Sequence, residues 1–220
     1  MRYTTTLAMT ALLLTACGRP AMPNNPAGWP AIAAWHRLNT LRNYAFRSSI
    51  RLGAHTTAIT TGRYHNAHNY AITRSVVRAA DTDTTSLLLA TNQHYYTGPA
   101  HQRVDILINN PKTVGLRASV LSYTILWALY LRTSRGTPAG SCHQAGRPGQ
   151  RFQISVLATM VGSACIDKAT GAMLAASLRN RSGGRAASFA VTCVGGVAAI
   201  PPPLHPRTAG SPLPYPHGSG

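Results

Sequence analysis

The chain has 220 residues, and 21 lysines and arginines face only four aspartates and no glutamate, which gives a formal net charge of +17 at pH 7. This length fits one domain with tails and is sufficient to bury a hydrophobic core. So few carboxylates leave little basis for glycosidase chemistry, which needs two of them flanking one bond. The four acids are Asp81, Asp83, Asp105 and Asp167.

Other enzyme signatures are missing from the sequence. A serine triad needs an activated serine beside a histidine and an acid, and the chain has no Gly-x-Ser-x-Gly motif. Cys142 and His143 are sequence neighbours whose side chains point apart on a strand. The glycine patterns that bind phosphates or dinucleotides are also missing. We therefore predict a non-enzymatic protein with no catalytic residue and no cofactor.

The amino-terminal leader is the most informative segment. Arg2 precedes an apolar run over residues 7–16 that is too short for the roughly 20 residues of a membrane-spanning helix. Leu14-Thr15-Ala16-Cys17 resembles a bacterial lipobox, which predicts a signal peptide over residues 1–16 and lipidation of Cys17. Several acyl chains would hold the protein on the outer side of a bacterial membrane. The alternative is an ordinary secretory signal in which Cys17 lies near the cleavage point.

The charge of the chain limits the classes of partner. All basic residues except Lys112 and Lys168 are arginines, and they are scattered without a basic run or helix. Nucleic-acid binding would require clustering, so it is disfavoured. Anionic lipid headgroups, an acidic surface polymer and an acidic external medium rank higher, and arginine-rich codon usage is the uninformative explanation.

The first half of the chain predicts a strand meander after a short helix. Residues 17–30 are rich in proline, glycine and asparagine and indicate a flexible tether. Apolar residues at helical spacing predict a helix over residues 31–43, and from Tyr44 the apolar period becomes two. Further strands are predicted at 56–64, 70–77, 87–90 and 94–97, with a turn at 81–84.

The second half begins with two predicted helices, over residues 104–108 and 116–131. The longer one suits a helix packed inside a protein better than a membrane span. Tyr123, Trp127 and Tyr130 share one of its sides, and we expect them to line an apolar cavity; plain core packing is the alternative. A loop at 136–149, a second strand meander and a proline-rich disordered tail at 201–220 complete the chain.

The cysteines predict one disulfide. If Cys17 carries lipid, an odd number remains in a compartment that permits disulfides, so we expect one bridge and one free thiol. Cys165 and Cys193 fall on strands separated by a third, about 9–10 Å apart, which is too far for a bridge. Cys142 is therefore the expected partner of one of these two, with the choice left open.

Histidines offer a weak alternative site. His65 and His68 share one predicted turn, and His55, His94 and His101 could lie near them. A zinc site requires at least three protein ligands in fixed geometry. Turn histidines without a third ligand are usually bystanders, so we predict no metal site.

The order of elements resembles the half-barrel lipoprotein carriers, namely the LolA and LolB carriers and the actinobacterial LprG and LppX type. The short segments that carry the resemblance are residues 41–46, 61–64, 69–70 and 166–171. It implies an α+β fold over residues 31–200, in which a curved antiparallel sheet has helices packed on its concave side. It also implies an apolar cavity for acyl chains and no catalysis.

Two functions follow from these observations. The first is a membrane-anchored extracytoplasmic lipoprotein that binds or ferries a lipid or another apolar ligand. The second is a non-catalytic structural or interaction lipoprotein, with a filled core and a cationic surface that contacts anionic polymer, lipid headgroups or a partner protein. An apolar cavity of several hundred cubic ångströms would distinguish the first from the second.

Overall fold

The computed structural model describes residues 29–78, 81–91, 94–99, 104–105, 111–202 and 207–208. Cys17, the predicted signal peptide and residues 17–28 of the predicted tether lie outside these residues. Two α-helices are described, α1 (Ala31–His36), which continues as a 3-10 helix over Arg37–Leu41, and α2 (Pro111–Arg132). No helix in the described ranges is long and apolar enough to cross a membrane.

The described strands form one sheet, built from two meanders. The first meander comprises β1 (Tyr44–Arg51), β2 (Thr57–Asn66), β3 (Asn69–Arg78), β4 (Asp81–Thr91), β5 (His94–Pro99) and β6 (Val104–Asp105). The second comprises β7 (Ser134–Gln144), β8 (Arg147–Val156), β9 (Met160–Asp167), β10 (Met173–Asn180) and β11 (Arg185–Val194). The short strand β12 (Arg207–Thr208) lies beyond them in the sequence.

The two meanders join through the antiparallel pairing of β1 with β11, so the strand order is β12-β6-β5-β4-β3-β2-β1-β11-β10-β9-β8-β7. The pairing of β12 with β6 is parallel. The sheet is open and curved, with both helices packed on it, and the predicted α+β half-barrel is confirmed.

Alternation along the strands gives the sheet one apolar face. In β1, Tyr44, Phe46, Ser48 and Ile50 are buried and the intervening residues are more exposed. The buried residues form one hydrophobic cluster with residues of both helices. The helices therefore lie against the face that carries Phe46, and Arg47 and its neighbours define the opposite, outer face of the sheet.

Two short predicted elements were wrong. Residues 104–108 do not begin as a helix, because Val104 and Asp105 form β6 against the free edge of β5. Pairing with β5 gives the backbone of Val104 and Asp105 hydrogen-bond partners that the ends of a five-residue helix would lack. Residues 81–84 are not a turn but the start of β4, paired with the end of β3. Threonine is β-branched and favours this extended backbone.

The predicted loop at 136–149 was also wrong, since most of it belongs to the hairpin of β7 and β8. Pro138 is tolerated because β7 is an edge strand of the described sheet, where a missing N–H is harmless. The register shifts between Pro138 and Ser141, which accommodates the irregular composition.

Both ends of the predicted domain differ from the structure. Trp29, assigned to the tether, is buried against Phe152 with ring centroids 4.9 Å apart, and its Nε1 donates a hydrogen bond to Ser134 Oγ at 2.9 Å. Arg207 and Thr208, assigned to the disordered tail, form β12. Burial of its aromatic ring holds Trp29 against the domain. Backbone pairing with β6 holds Arg207 and Thr208.

Candidate functional site

Trp127 is central to the inner side of α2 and has no exposed surface. Its Nε1 donates a hydrogen bond to Ser48 Oγ at 2.9 Å, so the buried indole N–H is satisfied. The indole packs against Trp35 and Phe189, with centroid distances of 6.2 and 6.3 Å. These contacts fill the space between α2 and the sheet around Trp127.

The other two predicted cavity residues lie on the same side of α2. Tyr130 is half-buried with its ring 6.0 Å from Trp127, and buried Tyr123 stacks on Phe46 at 5.0 Å. The structure thus brings Tyr123, Trp127 and Tyr130 together, facing the sheet. Their role as a cavity wall stays a prediction.

Sequence reasoning missed a tyrosine cluster beside this helix. Tyr44, Tyr64 and Tyr70 are register partners on β1, β2 and β3, and their rings stack at 4.8 and 4.9 Å. Burial raises the pKa of Tyr44, of Tyr64 and, well above its usual value, of Tyr123. The phenols therefore stay neutral and supply polar hydroxyls inside an apolar region. The equal spacing of Tyr64 and Tyr70 from the hairpin turn could have indicated the cluster.

The opposite side of α2 is apolar but exposed. Ile125 is 65% exposed and Leu129 is 55% exposed, and half-buried Leu121 precedes them at the same four-residue spacing. Residues four apart lie on one side of a helix, and exposed Arg132 ends this row. We call Leu121, Ile125 and Leu129 the outer side of α2. Ile125 and Leu129 are exposed there, Leu121 also packs partly against the core, and a cation lies at one end of the row.

The structure pairs Cys142 with Cys165, with an S–S distance of 2.07 Å, and leaves Cys193 as an exposed free thiol. The bridge joins β7 to β9 across β8, and the two Cα atoms are 6.0 Å apart. Gly149 of β8 permits this crossing, because a Cβ there would lie 2.8 Å from both Sγ atoms. Two intervening strand spacings therefore do not exclude a bridge where the middle residue has no side chain.

Asp167 ends β9 and has a fully buried side chain. Arg147 donates to Asp167 Oδ2 from Nη2 at 2.8 Å and from Nε at 3.1 Å. Thr170 Oγ1 donates to the same oxygen at 2.5 Å. Burial alone would raise the pKa of Asp167, but the hydrogen bonds from Arg147, Thr170 and the Ala169 N–H hold it below its usual value. This arrangement stabilises the turn after β9.

The histidines do not form a metal site within the described part of the chain, where no group of three potential ligands occurs. His65 Nδ1 lies 2.9 Å from the carbonyl oxygen of Val197 and 3.5 Å from Asn43 Nδ2. His65 thus fastens the segment after β11 to β2. His68 lies in the turn between β2 and β3, and His101 is outside the described residues.

Three pockets lie on the outer face of the sheet. Their volumes are about 550, 460 and 430 Å³, and each is lined by two arginines together with serine or threonine hydroxyls. The arginine pairs are Arg151 with Arg179, Arg47 with Arg63, and Arg51 with Arg78. The arginines scattered in the sequence are therefore brought together by the fold.

No family model matches the chain, and no curated protein matches it. Among solved structures it is similar to MucB, with 17% identity over 76% of this chain and 60% of that chain and a TM-score of 0.34. The Pseudomonas aeruginosa MucA/MucB complex gives 15% identity over 78% and 58%, with a TM-score of 0.34. An uncharacterized conserved protein from Thermus thermophilus gives 9% identity over 79% and 94%, with a TM-score of 0.35. The chain thus spans about 60% of MucB, and at these TM-scores the similarities carry no argument about its ligand.

Proposed function

We propose that this chain is a non-catalytic extracytoplasmic lipoprotein that is anchored through Cys17 and binds or ferries a lipid or another apolar ligand. The observation that carries the proposal is the outer side of α2, where Ile125 and Leu129 expose more than half of their surface. Contiguous exposed apolar surface on a soluble domain commonly marks a binding site.

The ligand class follows from the chemistry of this side of the helix. Covering Ile125 and Leu129 would contribute about 2 kcal/mol from apolar burial. Arg132 at the end of the row carries a permanent charge and can bind an anionic group through paired N–H donors. An acyl chain along the apolar row with an acidic headgroup at Arg132 satisfies both. An anionic lipid is therefore the ligand that fits best.

The filled core favours a second candidate. Trp127 is fully buried and packed against Trp35 and Phe189, so the space that an internal ligand would occupy around it is taken by side chains. A structural or interaction lipoprotein would need no internal ligand and would act through its cationic outer face.

Binding of a fluorescent anionic lipid to the full chain tests the first proposal. We expect Ile125→Glu to weaken binding roughly tenfold, because it places a charge where the acyl chain would lie. The matched control is Leu157→Glu, since Leu157 is equally exposed, at 65%, but lies in the turn between β8 and β9. Equal effects of the two substitutions, or no binding by the unmodified chain, would favour the structural alternative.

A further inference from the structure

The outer face of the sheet carries a straight row of hydroxyl side chains. Ser163 of β9, Ser177 of β10, Ser188 of β11 and Ser49 of β1 are direct register partners from strand to strand. Gln153 of β8 extends the row by one strand. With strands about 4.8 Å apart, the row is about 19 Å long.

Arginines lie in the neighbouring rows on both sides of these serines. Arg151 and Arg47 occupy one such row, linked through successive register partners on β9, β10 and β11. Arg135 and Arg179 occupy the row on the other side. Arg51 follows Ser49 by two residues, so it shares that second side. The serine row thus has arginines on both of its sides.

No acidic residue offsets this charge on the strands that form the rows. β1, β8, β10 and β11 contain no aspartate or glutamate, and Asp167 at the end of β9 is buried and paired with Arg147. Within the described part of the chain, the side chains of Arg151 and Arg179 have no ion pair or hydrogen bond. They are both exposed and line the pocket of about 550 Å³ with Ser163 and Ser177.

We propose that this surface, which we call the serine–arginine track, binds a linear acidic polysaccharide laid across the strands. Serine hydroxyls both donate and accept hydrogen bonds and so match sugar hydroxyls. Arginine binds carboxylate or sulfate groups through paired N–H donors. A polymer that carries both kinds of group along its length meets both kinds of side chain.

The composition of the track disfavours two other polyanions. Single-stranded nucleic acid binds by stacking its bases on aromatic side chains. The rows of the track contain serines, arginines, small residues, Gln153 and Val161, and no aromatic residue. A membrane surface would be met by large apolar side chains that insert below the headgroups, whereas the largest apolar residue in these rows is Val161. Because α2 covers the opposite face of the sheet, through the contact of Trp127 with Ser48, the track does not depend on the proposed lipid site.

Titration of the full chain in neutral detergent with a heparin oligosaccharide tests the proposal. We expect saturable binding that weakens as salt concentration rises, because arginine contacts release counterions. Neutral dextran should not bind. Arg151→Gln with Arg179→Gln should weaken binding roughly tenfold or more. The control, Arg37→Gln with Arg42→Gln, removes the same charge outside the strands and should weaken it less than about threefold.

A serine substitution separates recognition by the track from attraction by net charge. Ser177→Val keeps every arginine, and we expect it to weaken heparin binding while the salt dependence is retained. Phenylglyoxal, which reacts with arginine side chains, tests the wild-type sequence without any substitution. Bound heparin should slow the reaction of Arg151 and Arg179 but not that of Arg37.

Three results would overturn the proposal. One is equal loss of affinity in the track and control double variants. Another is binding of single-stranded DNA as tight as that of heparin at equal charge, which would assign the face to nucleic acid. The third is absence of heparin binding together with binding to vesicles containing phosphatidylglycerol, which would assign it to a membrane surface.

Discussion

The buried carboxylate of Asp167 is held by Arg147 and Thr170 in a chain that has only four acids. Its pKa is held below the usual value of 3.8 by these hydrogen bonds. A carboxyl group whose pKa is lower in the folded than in the unfolded state stabilises the fold above the unfolded pKa. That stabilisation is lost as the pH falls through the folded value. Among the carboxyl groups whose side chains the structure describes, Asp167 should therefore contribute to the acid sensitivity of the fold.

We predict a free energy of unfolding that changes little between pH 7 and about pH 5 and falls below about pH 4. Urea denaturation across this range measures it. Asp167→Asn should lower the stability at pH 7 by about 3 kcal/mol, because it leaves Arg147 without its ion partner, and should flatten the acid limb. An unchanged acid limb in the variant would show that other groups control acid unfolding.

Gly149 is required by the disulfide that crosses β8. A Cβ there would lie 2.8 Å from Cys142 Sγ, Cys165 Sγ and the carbonyl oxygen of Ile166. We predict that Gly149→Ala destabilises the fold by about 1–3 kcal/mol through overpacking and slows formation of the bridge. Thermal unfolding and thiol titration measure the two effects.

Gly53→Ala is the matched control for Gly149→Ala, since the nearest atom to its new Cβ is 4.0 Å away. It should leave the melting temperature and the thiol count nearly unchanged. A Gly149→Ala protein with wild-type stability and a complete bridge would contradict the crossing geometry.

The sequence predicted a bridge that includes Cys142, because one strand separates Cys165 from Cys193; that argument holds only where the intervening residue carries a side chain, as Ala175 does beside Cys165. The sequence could not predict the partner. The choice of partner depends on how closely β7 approaches β9 over Gly149. A glycine adds nothing to the alternation of apolar and polar residues, so the sequence pattern does not show that a disulfide can cross at this position. The paired role of Asp167 was equally hidden, because Arg147 is 20 residues away and only the register of β8 with β9 brings them together.

The helix α2 has two apolar sides in different environments. Its inner side carries Trp127, fully buried against aromatic residues and bonded to Ser48. Its outer side carries exposed Ile125 and Leu129. Near-uniform apolarity hides this division in the sequence, because a period cannot be detected when every side is apolar. For this reason the predicted cavity residues, Tyr123, Trp127 and Tyr130, all lie on the inner side of α2, and the exposed apolar residues of the outer side were not predicted.

We predict that Trp127→Arg unfolds the domain, because an unpaired charge would replace a buried indole at a cost of several kcal/mol. Ile125→Glu should leave the melting temperature nearly unchanged, since its side chain is mostly in solvent. Circular dichroism melting curves compare the two. A folded Trp127→Arg protein that has lost lipid binding would instead place Trp127 in a ligand cavity.

Strands with strict alternation could be predicted and strands of irregular composition could not. In β1 and β11, period-two burial matches the sequence pattern. The edge strand β7 contains Pro138 and Gly140, residues that normally indicate a loop. Its strand character comes from pairing with β8, a long-range effect that local composition does not report.

The whole molecule has an open half-barrel, and its amino-terminal residues are predicted from the sequence to be a lipoprotein signal. The sheet directs one face to the helices and the other to solvent, and the pairing of β1 with β11 makes the two meanders one body. The alternation of apolar residues predicted both meanders. The pairing of β1 with β11, which joins them, is seen only in the structure. We expect the anchored molecule to act at a membrane surface.

Membrane anchoring is predicted to depend on a single atom, the sulfur of Cys17. Cys17→Ala should yield an unprocessed or soluble protein, because no other atom at this position can accept the diacylglyceryl group. Membrane fractionation and detergent partitioning measure the change. Cys193→Ala, which removes an exposed thiol, should partition like the unmodified chain. If Cys17→Ala fractionates with membranes as before, the lipoprotein assignment is wrong.

Mass spectrometry of the protein extracted from its native membrane shows whether the chain carries a non-covalent lipid. We predict that an anionic lipid co-purifies non-covalently with the wild-type chain and with Leu157→Glu, and that its amount is strongly reduced in Ile125→Glu. Because the lipid predicted on Cys17 would be covalent, mild denaturation would release only the non-covalently bound ligand. Protein free of any non-covalent lipid, or an equal amount of lipid on Ile125→Glu and the unmodified chain, would contradict the proposed lipid site.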